Sequence, residues 1–436
     1  MRKRNSTSAP EICTRGRLVG FFIAALLACP HVRATNYDES KAGVYTLPDP
    51  LVLQNGEPVR DATTWFNLRR PEILKLYQEN IHGRSPPRPA EMTFQVFDED
   101  RHALGGQAIR KQVTINFFGP AGGPKTDLLI YLPAHAPGPV PVFLCLSFNP
   151  IDQVASDPAI RLETSWDRKT LTQHPDTEQD RGHAKNWPIE KIISRGYGLA
   201  VIYYCDIEPD LPGGAGLKYG VRAHYLKAGQ AEPAPDEWGA VAAWAWGLSR
   251  GLDYLETDRD VDRKHVIALG QSRLGKTVLW AGAQDTRFAL VVASCSGEMG
   301  AALSRRDYGE TVDDMVRTFP YQFSANFRSY AHHWNDLPVD SHLLISLIAP
   351  RPLFLNTGSL DLWSDPRGEF LAAVAAGPVY KLLGGEGLGT AEMPPLDTPV
   401  MRGLIGFHCH TGKHEILVSD WDKFLDFADL HLKGKN

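Results

Sequence analysis

A three-layer α/β sandwich, with helices on both faces of a mostly parallel sheet, is the fold class this sequence predicts. Three observations predict it. From about residue 140, short apolar runs alternate with amphipathic stretches, the rhythm of strands joined by crossover helices. Before that point the strand-like runs 93–97, 112–118 and 126–132 follow one another closely, which indicates an antiparallel start to the sheet. Finally, the apolar run 265–269 passes through Gly270-Gln271-Ser272-Arg273-Leu274-Gly275 into a helical pattern, a strand, a tight turn and a helix in immediate succession.

The elements follow in order. Residues 64–81 include a short helix whose helical part starts at Pro71. The buried strand 141–146 runs into the turn Ser147-Phe148-Asn149-Pro150. Residues 151–186 are polar, rich in Asp, Thr and His and without a period, so they form an insertion, and loops of that length shape access to a site. A helix at 187–194 and a strand at 198–204 precede a second, Gly/Pro-rich insertion at 206–235. Residues 237–255 read as an amphipathic helix, and Trp238, Val241, Trp244 and Leu248 at helical spacing belong to the core rather than to a ligand platform. After the 264–280 stretch come a strand at 288–293, a helix at 341–348, strands at 353–356 and 404–407, and a closing helix at 421–432.

Length and composition bound the possibilities. A chain of 436 residues holds one large domain or two ordinary ones. Its net charge of −5 supplies no electrostatic footprint for nucleic acid or for an anionic membrane. Arg2, Lys3, Arg4, Arg15 and Arg17 precede the apolar run 18–28, and Val32-Arg33-Ala34 offers small residues for cleavage, so residues 1–34 read as a signal peptide and the protein as secreted or periplasmic. The run is short for a membrane span, which leaves 35–436 as a soluble catalytic domain with 35–110 as its N-terminal extension. Leu26-Leu27-Ala28-Cys29 weakly resembles a lipoprotein box, and Pro30 speaks against it. Of six cysteines, Cys13 and Cys29 lie in the leader. Cys145, Cys205, Cys295 and Cys409 remain, at spacings that match no zinc site, as buried thiols with one bridge left open.

Gly-x-Ser-x-Gly with one extra residue before the last glycine holds a serine on a sharp strand-to-helix turn, its hydroxyl exposed at a helix N-terminus. That is the geometry of a nucleophile, which makes Ser272 the candidate. The α/β-hydrolase fold orders its triad as serine, acid, histidine, each beyond the C-terminal end of a strand. His414, in Thr411-Gly412-Lys413-His414 between the last strand and last helix, stands where the base belongs; His408 and His410 compete from within or at the end of the strand. Asp361, just past the 353–356 strand, stands where the acid belongs, with Glu298 after the preceding strand and Asp365 as alternatives. The Arg273 backbone N–H and guanidinium would meet an oxyanion, with a second backbone donor from the loop at Phe148 or Asn149.

These residues resemble the glucuronoyl esterases of carbohydrate esterase family 15, bacterial type, from about residue 140 to the end. Gly270-Gln271-Ser272-Arg273-Leu274-Gly275-Lys276 is similar to that family's G-C-S-R-x-G-K. Ser296-Gly297-Glu298-Met299-Gly300-Ala301-Ala302 resembles its S-G-x-G-G-A-A, and residues 337–344 with Leu347-Ile348-Ala349-Pro350-Arg351 resemble its region before the seventh strand. The resemblance implies a serine esterase that cleaves esters between the glucuronic acid side chains of xylan and lignin alcohols. It needs no metal or cofactor, and the mature form is expected to be a monomer. Ser272, Arg273 and His414 match the nucleophile, the oxyanion arginine and the base. Lys276, Glu310 and Trp363 match positions that bind the sugar. Gln271 replaces the cysteine of the fungal motif, and Cys295 stands where many members carry an acid, which moves that role toward Asp361. An acetyl-xylan or other carbohydrate esterase, and a non-catalytic saccharide-binding relative, are the competing functions on this fold.

Overall fold

The computed structural model describes residues 34–120 and 122–433. The expected leader, with Cys13 and Cys29, falls almost wholly outside them. The chain from Asn36 onward forms one compact unit.

The first helical stretch begins at Ala62, earlier than Pro71, because Asp61 caps it by accepting from the Thr64 N–H. A π turn at Trp65–Arg69, closed by the Arg70 N–H, leads into the helix Arg70–Asn80, so Pro71 sits in a first turn where its missing donor is least felt. The strands β1 (Thr93–His102), β2 (Ala108–Asn116) and β3 (Lys125–Pro133) then form the expected antiparallel meander.

The parallel part of the sheet comprises β4 (Val140–Ser147), β7 (Gly198–Tyr203), β8 (Val261–Gln271), β9 (Leu290–Ser294), β10 (Leu353–Gly358) and β11 (Ile405–His410). The 151–186 insertion, expected to be irregular, contains a separate hairpin, β5 (Thr164–Asp167) with β6 (Thr172–Pro175). The nine-stranded sheet runs β1-β2-β3-β7-β4-β8-β9-β10-β11, with β3 antiparallel to β7 and every later neighbour parallel. In β4, β7, β9 and β10 nearly every residue is buried, as a parallel sheet covered on both faces requires.

One face is covered by helices α1 (Ala240–Leu255), α2 (Arg273–Gln284) and α3 (Pro366–Leu382), whose buried side chains join one core. The other is covered by the short helix Ile189–Ser194 and by α4 (Asp420–Leu432), with Phe143, Tyr197, Trp421 and Phe424 in a second core. Trp238, Trp244 and Trp246 are core residues, and the Trp244 indole donates to the Glu208 carbonyl at 2.8 Å. Asp365 followed by Pro366 marks the start of α3 in the sequence, but patterning gives no periodicity for its length. The helix is rich in alanine and glycine, carries Pro378 inside it, and is capped by Asp365 in a left-handed conformation. All four described cysteines are free and buried. Among the described residues, no helix is long and apolar enough to cross a membrane.

Candidate active site

The adjacent strands β8, β9, β10 and β11 are parallel and in register, so their C-terminal ends lie along one edge. Ser272, Cys295, Asp361 and His414 follow these four ends. The tight turn after β8 holds Ser272 at φ 59°, ψ −129°, a strained backbone for a residue with a Cβ. The Ser272 N–H donates to the Ser294 carbonyl at 2.8 Å, and its own carbonyl accepts from Lys276 to start α2. The flanking glycines are there for space. A Cβ on Gly270 would meet the Leu274 carbonyl oxygen at 2.2 Å, and one on Gly275 would meet the Ser294 carbonyl oxygen at 2.9 Å.

β8 and β11 are three strand spacings apart, about 14 Å, so the loop after β11 must fold back over the sheet edge to bring His414 near Ser272. Three hydrogen bonds hold it there, two between backbone groups and one from a side chain. The Leu360 N–H donates to the Gly412 carbonyl at 2.8 Å, and the Ser359 N–H to that of His410 at 2.9 Å. The Gln271 side-chain amide donates to the His414 carbonyl at 3.1 Å, so the glutamine that replaces the motif's cysteine tethers the histidine loop. Gly358 allows the approach, since the Lys413 carbonyl oxygen lies 2.1 Å from where a Cβ would stand.

His414 Nδ1 lies 2.6 Å from Asp361 Oδ2 and 3.3 Å from the Ser364 hydroxyl. Burial pushes the Asp361 carboxyl up, but its hydrogen bond and attraction to His414 outweigh that and hold it below the ordinary aspartate value. Ser272 and His414 line the same cavity of about 340 Å³, with no direct hydrogen bond between their side chains. The other candidates lie elsewhere. Glu298 is buried beside Ser304, Asp340, Glu310 and Lys276, and burial pushes its carboxyl well above the ordinary range. Asp365 pairs with Arg306 at 2.8 Å and caps α3. His408 and His410 are buried in β11 against Asp420, at 3.4 and 3.1 Å.

Arg273 lines the cavity, its guanidinium 5.2 Å from the Phe319 ring centre and ion-paired with Asp210. Asp210 is fully buried and also accepts from the Tyr204 hydroxyl at 3.1 Å and the Tyr321 hydroxyl at 2.5 Å, which fixes where the guanidinium points. Asp210 lies in the patternless 206–235 insertion, where no sequence signal marks it. Lys276 and Glu310 form a buried pair at 3.5 Å inside the cavity, and the Glu310 N–H donates to the carbonyl of half-exposed Trp363 at 2.8 Å. Of the two residues expected to supply a second backbone donor, Asn149 is engaged elsewhere. Neither residue lines the cavity, and the Asn149 N–H is taken by the Ser147 hydroxyl at 3.0 Å.

Glu369 of α3, another residue without a sequence signal, accepts from the Ser296 hydroxyl at 2.9 Å and the Gly297 N–H at 2.7 Å, pinning the turn after Cys295. Burial raises its carboxyl to about 8, from an ordinary 4.5. Between those values the folded chain holds a proton that the unfolded chain releases, so this group makes stability fall as pH rises, by about 1.4 kcal/mol per pH unit at most. Glu369→Gln, which keeps both hydrogen bonds without the charge, is expected to gain stability relative to the parent across that window. Chemical denaturation at pH 5 and pH 8 measures it, and an equal difference at both values refutes it.

Comparison with known proteins gives the same answer by another route. A family model described as glucuronyl esterase, fungi, matches residues 233–384. A carbohydrate esterase, MZ0003, from an unknown prokaryotic organism is 46% identical over 92% of this chain and 93% of its own. A glucuronoyl esterase structure from Solibacter usitatus superposes with a TM-score of 0.87 at 48% identity, covering 90% of this chain and all of the other. A promiscuous CE15 esterase from a marine bacterial metagenome superposes at 0.85 with 46% identity, covering 92% of this chain and all of that one. Fold and relatives thus define a carboxylic ester hydrolase of the α/β-hydrolase class. Within that class, the chain belongs to the glucuronoyl esterases of carbohydrate esterase family 15.

Proposed function

We propose that this enzyme hydrolyses 4-O-methyl-glucuronoyl esters that join glucuronoxylan to lignin alcohols, using Ser272, His414 and Asp361 as its triad. The observation that carries the triad is the 2.6 Å bond between His414 Nδ1 and Asp361 in one cavity with Ser272. The substrate class is supported by relatives such as the 4-O-methyl-glucuronoyl methylesterase of Cerrena unicolor, 27% identical over 92% of this chain and 72% of its own. Asp361 orients the imidazole with Nδ1 engaged and leaves Nε2 to accept the Ser272 proton. Ser272 Oγ attacks the ester carbonyl, and Arg273 meets the negative charge that develops on its oxygen. The tetrahedral species collapses as His414 returns the proton to the departing alcohol. Water, deprotonated by His414, then cleaves the acyl-enzyme to the free uronic acid. The esterified carboxyl is neutral in the ground state and anionic at the transition state, so a fixed guanidinium favours the latter and raises rate.

Lys276, Glu310 and Trp363 hold the sugar. A buried lysine and glutamate at 3.5 Å offer a charged donor and acceptor to ring hydroxyls, and Trp363 offers a face to the ring. The enzyme acts as a secreted or periplasmic monomer. The test is a side-by-side rate comparison on benzyl glucuronate and acetylated xylan. The glucuronate ester is expected to have much the higher kcat/KM. Equal rates, or a faster acetate release, would replace this reading with that of a broader carbohydrate esterase.

A further inference from the structure

We propose that the catalytic edge of the sheet also holds an inhibitory metal site, in which Cys295, Asp361 and His414 capture a thiophilic divalent cation such as Zn²⁺ or Cd²⁺. The Cys295 sulfur, an Asp361 carboxylate oxygen and a His414 ring nitrogen lie within 4.8 Å of one another. Among the described residues, no other trio of His, Cys, Asp or Glu side chains converges in this way. Strand register produces the convergence. Cys295 follows β9 between the strands that deliver Ser272 and Asp361, and its backbone at φ 45° bends away from the strand's extended path. Its N–H is fixed to the Asn356 carbonyl at 2.7 Å. All three side chains line the cavity, and the exposed His414 opens the way in from solvent.

Zinc holds sulfur at about 2.3 Å and nitrogen or oxygen at about 2.0–2.1 Å, so tetrahedral ligands stand roughly 3.3–3.7 Å apart. The three ligand atoms, all within 4.8 Å of one another, stand about an ångström outside those separations. Three protein ligands leave a fourth position for water, the donor count of an open zinc site. The thiol decides which metals bind. A sulfur, an imidazole and one carboxylate favour zinc and cadmium, whereas magnesium and calcium prefer oxygen-only shells. The consequence is inhibition: binding releases the Cys295 thiol proton to solvent, and a cation on His414 and Asp361 removes the base and its orienting partner together. A family member with a carboxylate in place of Cys295 lacks this sulfur.

The test uses the full-length protein, treated with EDTA and dialysed. Titration with ZnCl₂ is expected to suppress benzyl glucuronate hydrolysis, with recovery on adding EDTA and no effect of MgCl₂. Half-inhibition of Cys295→Ser, scaled to its own metal-free rate, is expected to need about tenfold more zinc or beyond, since losing a ligand costs at least what losing an outer-shell partner does. CdCl₂ is expected to produce the ultraviolet cadmium–thiolate charge-transfer band in the parent and not in Cys295→Ser, whether or not the protein cleaves glucuronate esters. His414→Ala, with every cysteine intact, is expected to weaken the cadmium titration by about tenfold or more, and it carries the test if the Cys295 variant does not fold. Absence of zinc inhibition, equal inhibition of Cys295→Ser, or a cadmium band that survives either substitution unchanged overturns the proposal.

Discussion

Replacing Ser272 by alanine is expected to lower kcat on benzyl glucuronate by about 10⁶-fold, the loss seen when a triad serine is removed from a serine hydrolase. Without the hydroxyl there is no acyl-enzyme, and the oxyanion donors and binding contacts supply only the residual catalysis. Folding should be nearly untouched. The Ser272 hydroxyl makes no hydrogen bond to the described residues, and alanine keeps both the Cβ and the strain of the φ 59° turn. The measurement is steady-state kinetics beside a thermal melt of the same preparation. Activity near the parent's with an unchanged melt would remove Ser272 from its role. Lost activity with a lost melt would mean that the serine is structural.

Asp361→Asn should cost about 10⁴-fold in kcat, while Glu298→Gln should cost far less. The reason is tautomeric. An asparagine amide in the place of Asp361 Oδ2, 2.6 Å from His414 Nδ1, donates where the carboxylate accepts, and so shifts the imidazole proton to the nitrogen that must receive the serine proton. Glu298 makes no contact with His414, and burial favours its neutral form, so an amide there changes little charge at the site. Comparing kcat/KM for the two variants decides between them. A larger loss from Glu298→Gln would move the acid to the loop that follows β9.

The distribution of signals along the chain explains which of these features were legible. Ser272 sits in a motif because its turn needs glycines at 270 and 275 within six residues, a local requirement that the sequence must carry. His414 and Asp361, the proposed base and acid, are read from triad order and strand ends, since the parallel strands bring their C-terminal ends to one edge. Asp210, Gln271 and Glu369 act through contacts that span 63, 143 and about 72 positions, to Arg273, to the His414 carbonyl and to the Ser296-Gly297 turn. Nothing in their local sequence records those partners. At Asn149, one of the two residues expected to supply a second donor, the N–H goes to the Ser147 hydroxyl two residues before it, an outcome set by the turn's conformation.

Short-range steric and periodic constraints therefore settle the layered architecture, the tight turn at Ser272 and the family. They recur within a few residues and leave a pattern. Long-range packing settles the rest. It determines that the histidine loop folds back across three strands, that a buried aspartate aims the arginine, and that a cysteine sulfur stands beside the imidazole and carboxylate. Those relations arise only when strand register brings distant residues within a few ångströms, where a hydrogen bond or a shared cation has its effect.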